Sequence, residues 1–439
     1  MLPAKPDDFA LGAPYSTAIY LPAVNTTYPK IITQQLAAGR SLPTGLKLDD
    51  LAFWTGSSEL WNHKFLLHSV GGYEIGSDPR GPLFSRAKGS FVMVGDSGGF
   101  QIGKGTMQGL KGLHTSMTGN QAVAAWNANY DAKIWLIGWL EQYCDYAMTI
   151  DMPLWAMLPR GNNSPFHNCN ESQLLGMTLD NLRLIERERT GNTKWLNVIQ
   201  GTSPDNALRW WDAVKWFKYG GWALAGSVGW RGGIGGILQT ILLMRDEQAF
   251  DPGQDWIHFL GVSQPIWDAL LTGIQRELRK TNPQIQLSCD SATPFQAAGV
   301  RDEYMLAPEF GKDKKCWSYR YATLPALRRH ADANQPIPFA QPSPLGQMLD
   351  LHHLVVNDAD FAGRRIDSLS NALLTNHNIW VILDAGRRAN QFAFGGGRDK
   401  LPNDLAEILE LIEEVFSAEN WQAVLEKNQS LLNSVAPSQ

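Results

Sequence analysis

Residues 91–102 read FVMVGDSGGFQI, and this stretch decides how the rest of the chain is interpreted. Four apolar or β-branched residues lead into Asp96, and Ser97, Gly98 and Gly99 follow at once. An apolar run of this length bounded by glycines predicts a buried strand that ends in a tight turn. A carboxylate at the tip of such a strand, beside glycines that let a ligand approach the backbone, suits catalysis. The alternative is that Asp96 only caps the turn or the next helix.

The same pattern recurs along the chain, because five further short apolar runs each end at a polar residue or a glycine. These runs are Tyr146–Ile150 before Asp151, Trp195–Ile199 before Gln200, Trp222–Ala225 before Gly226, Trp256–Leu260 before Gly261 and Ile285–Cys289 before Asp290. Amphipathic helical stretches separate them, at about 121–143, 171–189, 204–219, 234–247 and 265–279. Strands that alternate with helices predict parallel βαβ units.

The number of these units and the chain length of 439 residues favour a (β/α)8 barrel of the α/β class. An open doubly wound sheet is less favoured, because its nucleotide-binding fingerprint is absent. Active sites of such barrels lie at the C-terminal ends of the strands. Those ends carry Asp96, Asp151, Gln200, Gly226 and Asp290. Three carboxylates and one amide converging on one mouth are hard to explain as turn residues alone.

Three regions follow from this interpretation. Residues 1–90, which are irregular with a short helix near 31–38, form an N-terminal segment that packs on the barrel and supplies extra strands or a lid. Residues 91–385 form the catalytic barrel. Residues 386–439 form a C-terminal helical extension, with helices at about 403–416 and 419–433 that pack on the barrel.

The net charge, the cysteines and the apolar runs of the sequence limit which functions and compartments fit this protein. The net charge of −5 rules out a global polycation, so any surface for nucleic acid has to be local. The four cysteines are widely scattered, which fits a reducing compartment. No signal-like N-terminus and no membrane-length apolar run are present, so we expect a cytoplasmic protein.

GGFQIGK at 98–104 imitates a phosphate loop, but Gly105 stands where the Mg²⁺-binding Ser or Thr belongs.

DSGGFQ at 96–101 resembles the signature of tRNA-guanine transglycosylases, which exchange a guanine for a 7-deazaguanine in a nucleic acid. The resemblance continues in the order of that family over roughly residues 90–385. It includes TID (149–151), VIQG (198–201), ALAGSVG (223–229), FLGVSQP (259–265), CDSATPFQAAG (289–299), LHH (351–353) and LLTNHNIW (373–380). The family fold is a (β/α)8 barrel, which agrees with the pattern of strands and helices.

The resemblance implies a role for each matching residue. Asp290 would be the nucleophile that attacks C1′ of the target nucleotide, and Asp96 would be the general acid/base. The polar edges of the base would be read by Ser97, Asp151, Gln200 and the backbone at Gly226 and Ser227, and its faces would be sandwiched by Phe100 and Leu260. Phe100 and Leu260 could instead be plain core residues, and Gln200 could tie two loops together.

Two departures from the family pattern concern zinc and the base. The tRNA enzymes hold a structural zinc with a CxCxxC cluster and a later histidine, whereas residues 325–350 contain no cysteine here. We therefore predict no zinc and no other cofactor besides the substrate base, with His377 a hydrogen-bonded core residue. Where bacterial tRNA enzymes have a glutamate for a cationic base, this chain has Trp230. We therefore expect the substrate base to carry an uncharged 7-substituent, such as the nitrile of preQ0 (7-cyano-7-deazaguanine).

A barrel of this family without the zinc cluster resembles the DNA-modifying branch, DpdA. The resemblance implies exchange of guanine in DNA for preQ0. A paired guanine must be extruded first, so helper proteins of a DNA-modification system or a special sequence context are expected aids. Two alternatives stay open, a zinc-free tRNA-guanine transglycosylase and a non-catalytic nucleic-acid-binding relative.

The candidate phosphate contacts are basic residues of the second half of the chain. They are Lys312, Lys314, Lys315, Arg320, Arg328, Arg329, Arg364, Arg365, Arg387 and Arg388. Basic clusters on a net-acidic protein are often only solvated surface, which is the alternative interpretation.

Overall fold

A computed structural model describes residues 16–37, 39–225, 233–324, 336–339, 342–354, 356–361 and 364–435 (backbone only at 160, 356–361 and 364–365). Eight parallel strands form a closed barrel, in which each strand pairs with the next and the last pairs with the first. They are β1 (Ile19–Val24), β2 (Phe65–Ser69), β3 (Val92–Asp96), β4 (Tyr146–Met148), β5 (Lys194–Ile199), β6 (Gly221–Leu224), β7 (Trp256–Phe259) and β8 (Gln286–Ser291). The predicted (β/α)8 fold is confirmed, and all six predicted strands are present.

The barrel interior is a separate apolar cluster made by alternate residues of the strands, since successive side chains of a strand point to opposite faces. Its buried members are Ile19, Leu21, Phe65, Leu67, Val94, Met148, Leu196, Val198, Ala223, Ala225 and Trp256. The other face of each strand packs against the surrounding helices in a second and larger core. Two-sided burial explains why these strands read as continuous apolar runs in the sequence.

The barrel begins earlier than predicted, because β1 and β2 lie in the segment that the sequence placed outside it. The boundary at residue 91 is therefore wrong. The described residues of the link from β1 to β2 form a five-residue helix, α1 (Tyr28–Ile32), and a short 3₁₀ turn, Leu48–Leu51. No long amphipathic helix follows either strand in these residues, so the βαβ pattern that revealed the other units is missing from them.

The helices that follow β3 to β8 cover the outside of the barrel. They are α2 (Gly99–Lys104), α3 (Gly119–Ala128), α4 (Tyr130–Tyr143), α5 (Glu171–Glu188), α6 (Pro204–Val214), α7 (Gly233–Asp246), α8 (Pro265–Leu278) and α9 (Thr293–Arg301). The single helix predicted over 121–143 is broken at Asn129, whose side-chain amide bonds to the backbone of Lys111 and Ala125. A side chain that bonds to the backbone in this way competes with the helical pattern.

The remainder of the chain packs on this shell. It forms two short antiparallel pairs, β9 (Glu303–Leu306) with β10 (Arg320–Thr323) and β11 (Val356–Phe361) with β12 (Arg364–Ile366). Its described residues also include the helices α10 (Ser368–Phe394), α11 (Asn403–Ser417), α12 (Trp421–Lys427) and α13 (Gln429–Leu432). In the part of the chain that is described, no helix combines the length and the apolar character needed to cross a membrane.

Helix α10 runs across the boundary predicted at residue 386. Gly386 lies inside this helix, where α10 passes close to α8, and a Cβ at this position would lie 2.9 Å from a carboxylate oxygen of Asp268. The same helix buries His377, as the sequence predicted. One ring nitrogen lies 2.9 Å from the Ser343 hydroxyl and the other 3.0 Å from the Met305 carbonyl.

Candidate active site

Two of the predicted acids lie on strands that converge at the C-terminal mouth of the barrel. Asp96 is the last residue of β3 and is two residues beyond Val94, which faces the barrel interior. Asp290 is the fifth residue of β8, opposite Leu21 of β1 in the parallel register. Alternation along β3 turns Asp96 inward, above the apolar interior.

The turn after β3 requires its glycines. Gly98 has φ of 82°, in the left-handed region, and a Cβ there would lie 2.8 Å from the Cα of Gly71. Only a residue without a side chain fits this close crossing of two backbones. The turn aims the N–H of Gly98 at Asp96 Oδ1, at 3.2 Å. Ser69, opposite Asp96 in the register of β2 and β3, hydrogen-bonds to the same carboxyl group through its hydroxyl.

The surroundings of Asp96 shift the pKa of its carboxyl group. Burial raises the pKa of Asp96, the hydrogen bonds from Ser69 and Gly98 lower it, and the negative charge of Asp290 raises it further. The net shift is upward. An upward shift is the direction that suits a general acid, because it makes the protonated form of the carboxyl group more available for donation to a leaving group.

Asp290 is held through a single oxygen. Its Oδ1 accepts a hydrogen bond from the backbone N–H of Gly261 at 2.9 Å, and the Nε2 atom of His258 lies 3.3 Å from the same oxygen. Gly261 has φ of 78°, so the turn after β7 uses a left-handed glycine to direct its N–H at the carboxylate. The Asp290 side chain is 12% exposed, which leaves part of it open at the mouth.

His258 was missed by the sequence analysis, although β7 carried a signal. Trp256, His258 and Leu260 alternate along the strand, and Trp256 and Leu260 face the barrel interior. Because every second residue of a strand lies on the same face, His258 also faces the interior, where it can meet the carboxylate of the neighbouring strand. It is fully buried, and its Nδ1 lies 2.9 Å from the Ser288 hydroxyl.

Asp151 and Gln200 form a buried pair beside Asp96. The Nε2 amide of Gln200 donates to Asp151 Oδ2 at 2.5 Å. Burial raises the pKa of Asp151 to about 7, the Gln200 hydrogen bond opposes the shift, and the charge of Asp96 adds to it. Asp151 follows β4 and Gln200 follows the neighbouring strand β5. The two side chains meet because the C-terminal ends of all barrel strands lie at the same mouth. Gln200 does tie two loops together in this structure, which was one of the two interpretations offered by the sequence.

The remaining described base-site candidates differ in exposure. Ser97 is buried, and its hydroxyl donates to the Thr149 carbonyl at 3.1 Å, so it connects the ends of β3 and β4. Leu260 is partly buried against the interior cluster. Phe100 is 56% exposed, with Lys104 Nζ 4.7 Å from its ring centre and the Trp155 ring 5.6 Å away. Phe100 is therefore not a core residue, and Trp155 is a second aromatic that the sequence analysis did not identify.

No protein-family model and no curated protein matches this chain.

Several candidates lie outside the described residues. They are Gly226, Ser227, Trp230, Arg328 and Arg329, together with the side chains of Arg364 and Arg365.

Most of the other candidate phosphate contacts already have acidic partners. Lys314 pairs with Asp404, Arg320 with Glu309 at 2.6 Å, and Arg387 and Arg388 both with Asp384. Lys312 and Lys315 are exposed, and no ion pair to either is found among the described residues. These two lysines are therefore the best placed of the described set to contact a phosphate.

The residues do not fit the zinc site of the tRNA enzymes. The Met305 carbonyl can only accept, so His377 donates from Nε2 and its Nδ1 accepts from the Ser343 hydroxyl, which occupies both ring nitrogens. Elsewhere in the described chain, the ligand atoms of Asp350, His352 and His353 lie within 4.8 Å of one another. Asp350 and His353 are already joined as a reciprocal cap of the short 3₁₀ helix Leu351–His353. Absence of zinc remains a prediction.

Proposed function

We propose that this protein is a DNA-guanine transglycosylase that replaces guanine in DNA by preQ0 through a covalent glycosyl-aspartate intermediate. One observation carries the proposal. Two carboxylates at one barrel mouth are near enough for the charge of Asp290 to raise the pKa of Asp96, yet their surroundings differ. The pKa of Asp96 is raised, chiefly by burial, whereas one oxygen of Asp290 accepts a hydrogen bond from the Gly261 N–H and lies 3.3 Å from His258 Nε2. Two acids in unlike surroundings are typical of an acid–nucleophile pair.

The chemistry would run in two displacements. Asp290 attacks C1′ of the extruded nucleotide, the C1′–N9 bond breaks, and Asp96 gives its proton to the departing guanine. The second base then loses a proton to Asp96 and attacks C1′, which breaks the ester bond to Asp290. Two inversions at the same carbon retain the configuration of the sugar.

The Asp151–Gln200 pair suits recognition of the heterocycle. Guanine and 7-deazaguanines present an N–H and an amino group side by side, and an ionised carboxylate can accept from both. With a pKa of about 7, Asp151 is ionised in a large fraction of molecules at neutral pH. The exposed ring of Phe100, on the helix that follows Asp96, offers a face for stacking.

Two observations favour DNA over tRNA and preQ0 over a cationic base. Both ring nitrogens of His377 are engaged in the core, which agrees with membership of the branch that lacks the zinc cluster. Trp230 stands in the sequence where the tRNA enzymes have a glutamate, so the counter-charge for an aminomethyl group is missing there.

The position of Lys312 and Lys315 supports a nucleic-acid surface near the mouth. Lys314, between them, donates to the Ser434 carbonyl at 2.7 Å. The next carbonyl, that of Val435, would lie 3.5 Å from a Cβ at Gly233, the first residue of α7. Because α7 follows β6, its first residue lies on the mouth side of the barrel.

The test is incorporation of labelled preQ0 by purified protein. Plasmid DNA, tRNA and a DNA oligonucleotide with a mismatched guanine are offered in parallel, because a mismatch lowers the cost of extrusion and makes the assay less dependent on helper proteins. Label in either DNA, and none with the Asp290→Asn variant, supports the proposal. Label in tRNA alone would establish the tRNA enzyme instead, and binding without any label would indicate the non-catalytic relative. Binding of preQ1 at least as tight as preQ0 would end the assignment of the base.

A further inference from the structure

A line of hydrogen-bonding groups runs from the barrel interior to the proposed nucleophile. The indole Nε1 of Trp256 lies 2.7 Å from the Ser288 hydroxyl oxygen, which lies 2.9 Å from His258 Nδ1. His258 Nε2 lies 3.3 Å from Asp290 Oδ1. Ser288 and His258 are fully buried. The Trp256 ring is held against Tyr146, with ring centres 4.5 Å apart, so the start of the line is fixed by packing.

The line determines which nitrogen of His258 carries the proton. An indole N–H can only donate, so Trp256 donates to Ser288 Oγ. The single hydrogen of the Ser288 hydroxyl then needs an acceptor, and among the described residues that acceptor is His258 Nδ1. A ring that accepts at Nδ1 is neutral and carries its hydrogen on Nε2. Protonation of Nδ1 would leave the buried Ser288 hydroxyl without an acceptor, which is unfavourable.

The proton on Nε2 faces Asp290. His258 therefore donates to Oδ1, the oxygen that also receives the Gly261 N–H. The hydrogen bonds found to Asp290 among the described residues all go to Oδ1, which leaves Oδ2 without a donor from this part of the chain.

We infer that His258, with its tautomer set by Ser288 and Trp256, is a positioning residue that holds Asp290 by Oδ1 and makes Oδ2 the attacking atom. This inference rests on the proposed transglycosylase function. As the Oδ2–C1′ bond forms, Oδ1 becomes the carbonyl oxygen of the ester. When the second base displaces the ester, charge returns to the carboxylate, and the same two donors stabilise it. His258 keeps its proton throughout, and Asp96 carries out the proton transfers.

The tautomer can be measured without any activity. ¹⁵N-histidine labelling and ring-nitrogen NMR, with the His258 signals assigned by their loss in His258→Gln, should show a protonated Nε2 and an unprotonated Nδ1. Ser288→Ala removes the donor to Nδ1 and should give a mixture of tautomers. A wild-type ring protonated at Nδ1, or at both nitrogens, would overturn the inference even if base exchange is found.

The positioning role is tested by trapping the covalent adduct. His258→Phe removes the donor that orients the carboxylate and should slow adduct formation by about 10- to 100-fold, the scale of loss caused by a small misplacement of a reacting group, with KM for the base little changed. His258→Gln can place an amide N–H near the position of Nε2 and should recover most of the rate. Equal rates for the Phe variant and the wild type, or a Gln variant no better than Phe, would exclude the role. Absence of adduct in the wild type would count against the proposed function instead, and would leave the NMR result standing.

Discussion

Ser69 of β2 lies opposite Asp96 of β3 in the parallel register, and its hydroxyl hydrogen-bonds to the Asp96 carboxyl group. The contact lowers the pKa of Asp96, whereas burial and the charge of Asp290 raise it. A general acid/base has to release and accept a proton in turn, so opposing effects on this pKa suit the role proposed for Asp96.

Replacement of Asp96 tests that balance. We expect Asp96→Asn to slow base exchange by about 10²- to 10⁴-fold, because an amide cannot supply the proton that the departing base needs. The measurement is the rate of preQ0 incorporation into the mismatched oligonucleotide. The matched control is Asp131→Asn, an exposed acid in the first turn of α4. A normal rate in the Asp96 variant would remove Asp96 from the mechanism.

The turn after β3 requires a positive φ at Gly98, which glycine adopts without strain. Gly98→Ala should therefore destabilise the protein. The new Cβ would lie 2.6 Å from Met107 Cε and 2.8 Å from Gly71 Cα, in a left-handed residue. We expect a loss of about 1–3 kcal/mol in the free energy of unfolding, measured by urea denaturation. Gly138→Ala, in the exposed face of α4 with nothing within 4 Å of the new Cβ, should be neutral or stabilising. Equal stabilities of the two variants would contradict the strain at Gly98.

The carboxyl group of Asp268 should make stability depend on pH. Burial between α8 and α10 raises the pKa of Asp268 to about 8 from an ordinary value of 3.8. The unfolded chain therefore releases this proton first as the pH rises, so stability decreases between about pH 4 and pH 8.

Asp268→Asn removes the ionisable group and should flatten this part of the profile. Relative to wild type, the variant should gain on the order of 1–4 kcal/mol between pH 4 and pH 8, measured by denaturation at each pH. The exposed Asp131→Asn variant should follow the wild-type profile. If the free energy of unfolding of the Asp268 variant changed with pH in parallel with that of the wild type, the carboxyl group would not have an abnormal pKa.

The affinity for the free base should rise with pH. Recognition by Asp151 requires its ionised form, and its pKa of about 7 places the change within reach of ordinary buffers. Binding of preQ0, measured calorimetrically, should strengthen from pH 6 to pH 8. Asp151→Asn should weaken binding and remove that increase. A pH-independent affinity in the wild type would argue against an ionised Asp151 as the acceptor.

Phe100 should contribute to binding of the nucleotide. Phe100→Ala should weaken binding of the mismatched oligonucleotide by about 10- to 100-fold, because a stacked base loses its aromatic partner. Trp216→Ala is the matched control, since Trp216 is 77% exposed and also has a lysine, Lys215, over its ring. Trp216 follows the C-terminal end of α6, at the opposite end of the barrel from the mouth. Equal losses for both variants would indicate nonspecific contacts.

A salt titration tests the proposed phosphate contacts of Lys312 and Lys315. Lys312→Ala combined with Lys315→Ala should lower the slope of log affinity for DNA against log salt, because each phosphate contact releases a counterion. Lys400→Ala with Lys427→Ala serves as the comparison with the same change in charge. A slope unchanged by the first pair would place the nucleic acid elsewhere on the surface.

The sequence by itself determined β3 to β8 and the acids at their ends. Each of those strands is a short apolar run separated from the next by helical sequence, and each run leads to a polar residue or a glycine, among them Asp96, Asp151 and Asp290. Local periodicity is sufficient for this part of the fold. Burial of His377 in the core was likewise predictable, from the lack of cysteines to share a zinc ion.

Only the tertiary structure decided how the barrel closes and how Asp290 is held. β1 and β2 have no long helix after them, and they become barrel strands by pairing with β8 and β3 across the chain. His258 reads as one more residue of an apolar strand until β7 pairs with β8 and sets it beside Ser288 and Asp290. Register between strands far apart in the sequence is set by closure of the whole sheet, which no local pattern encodes.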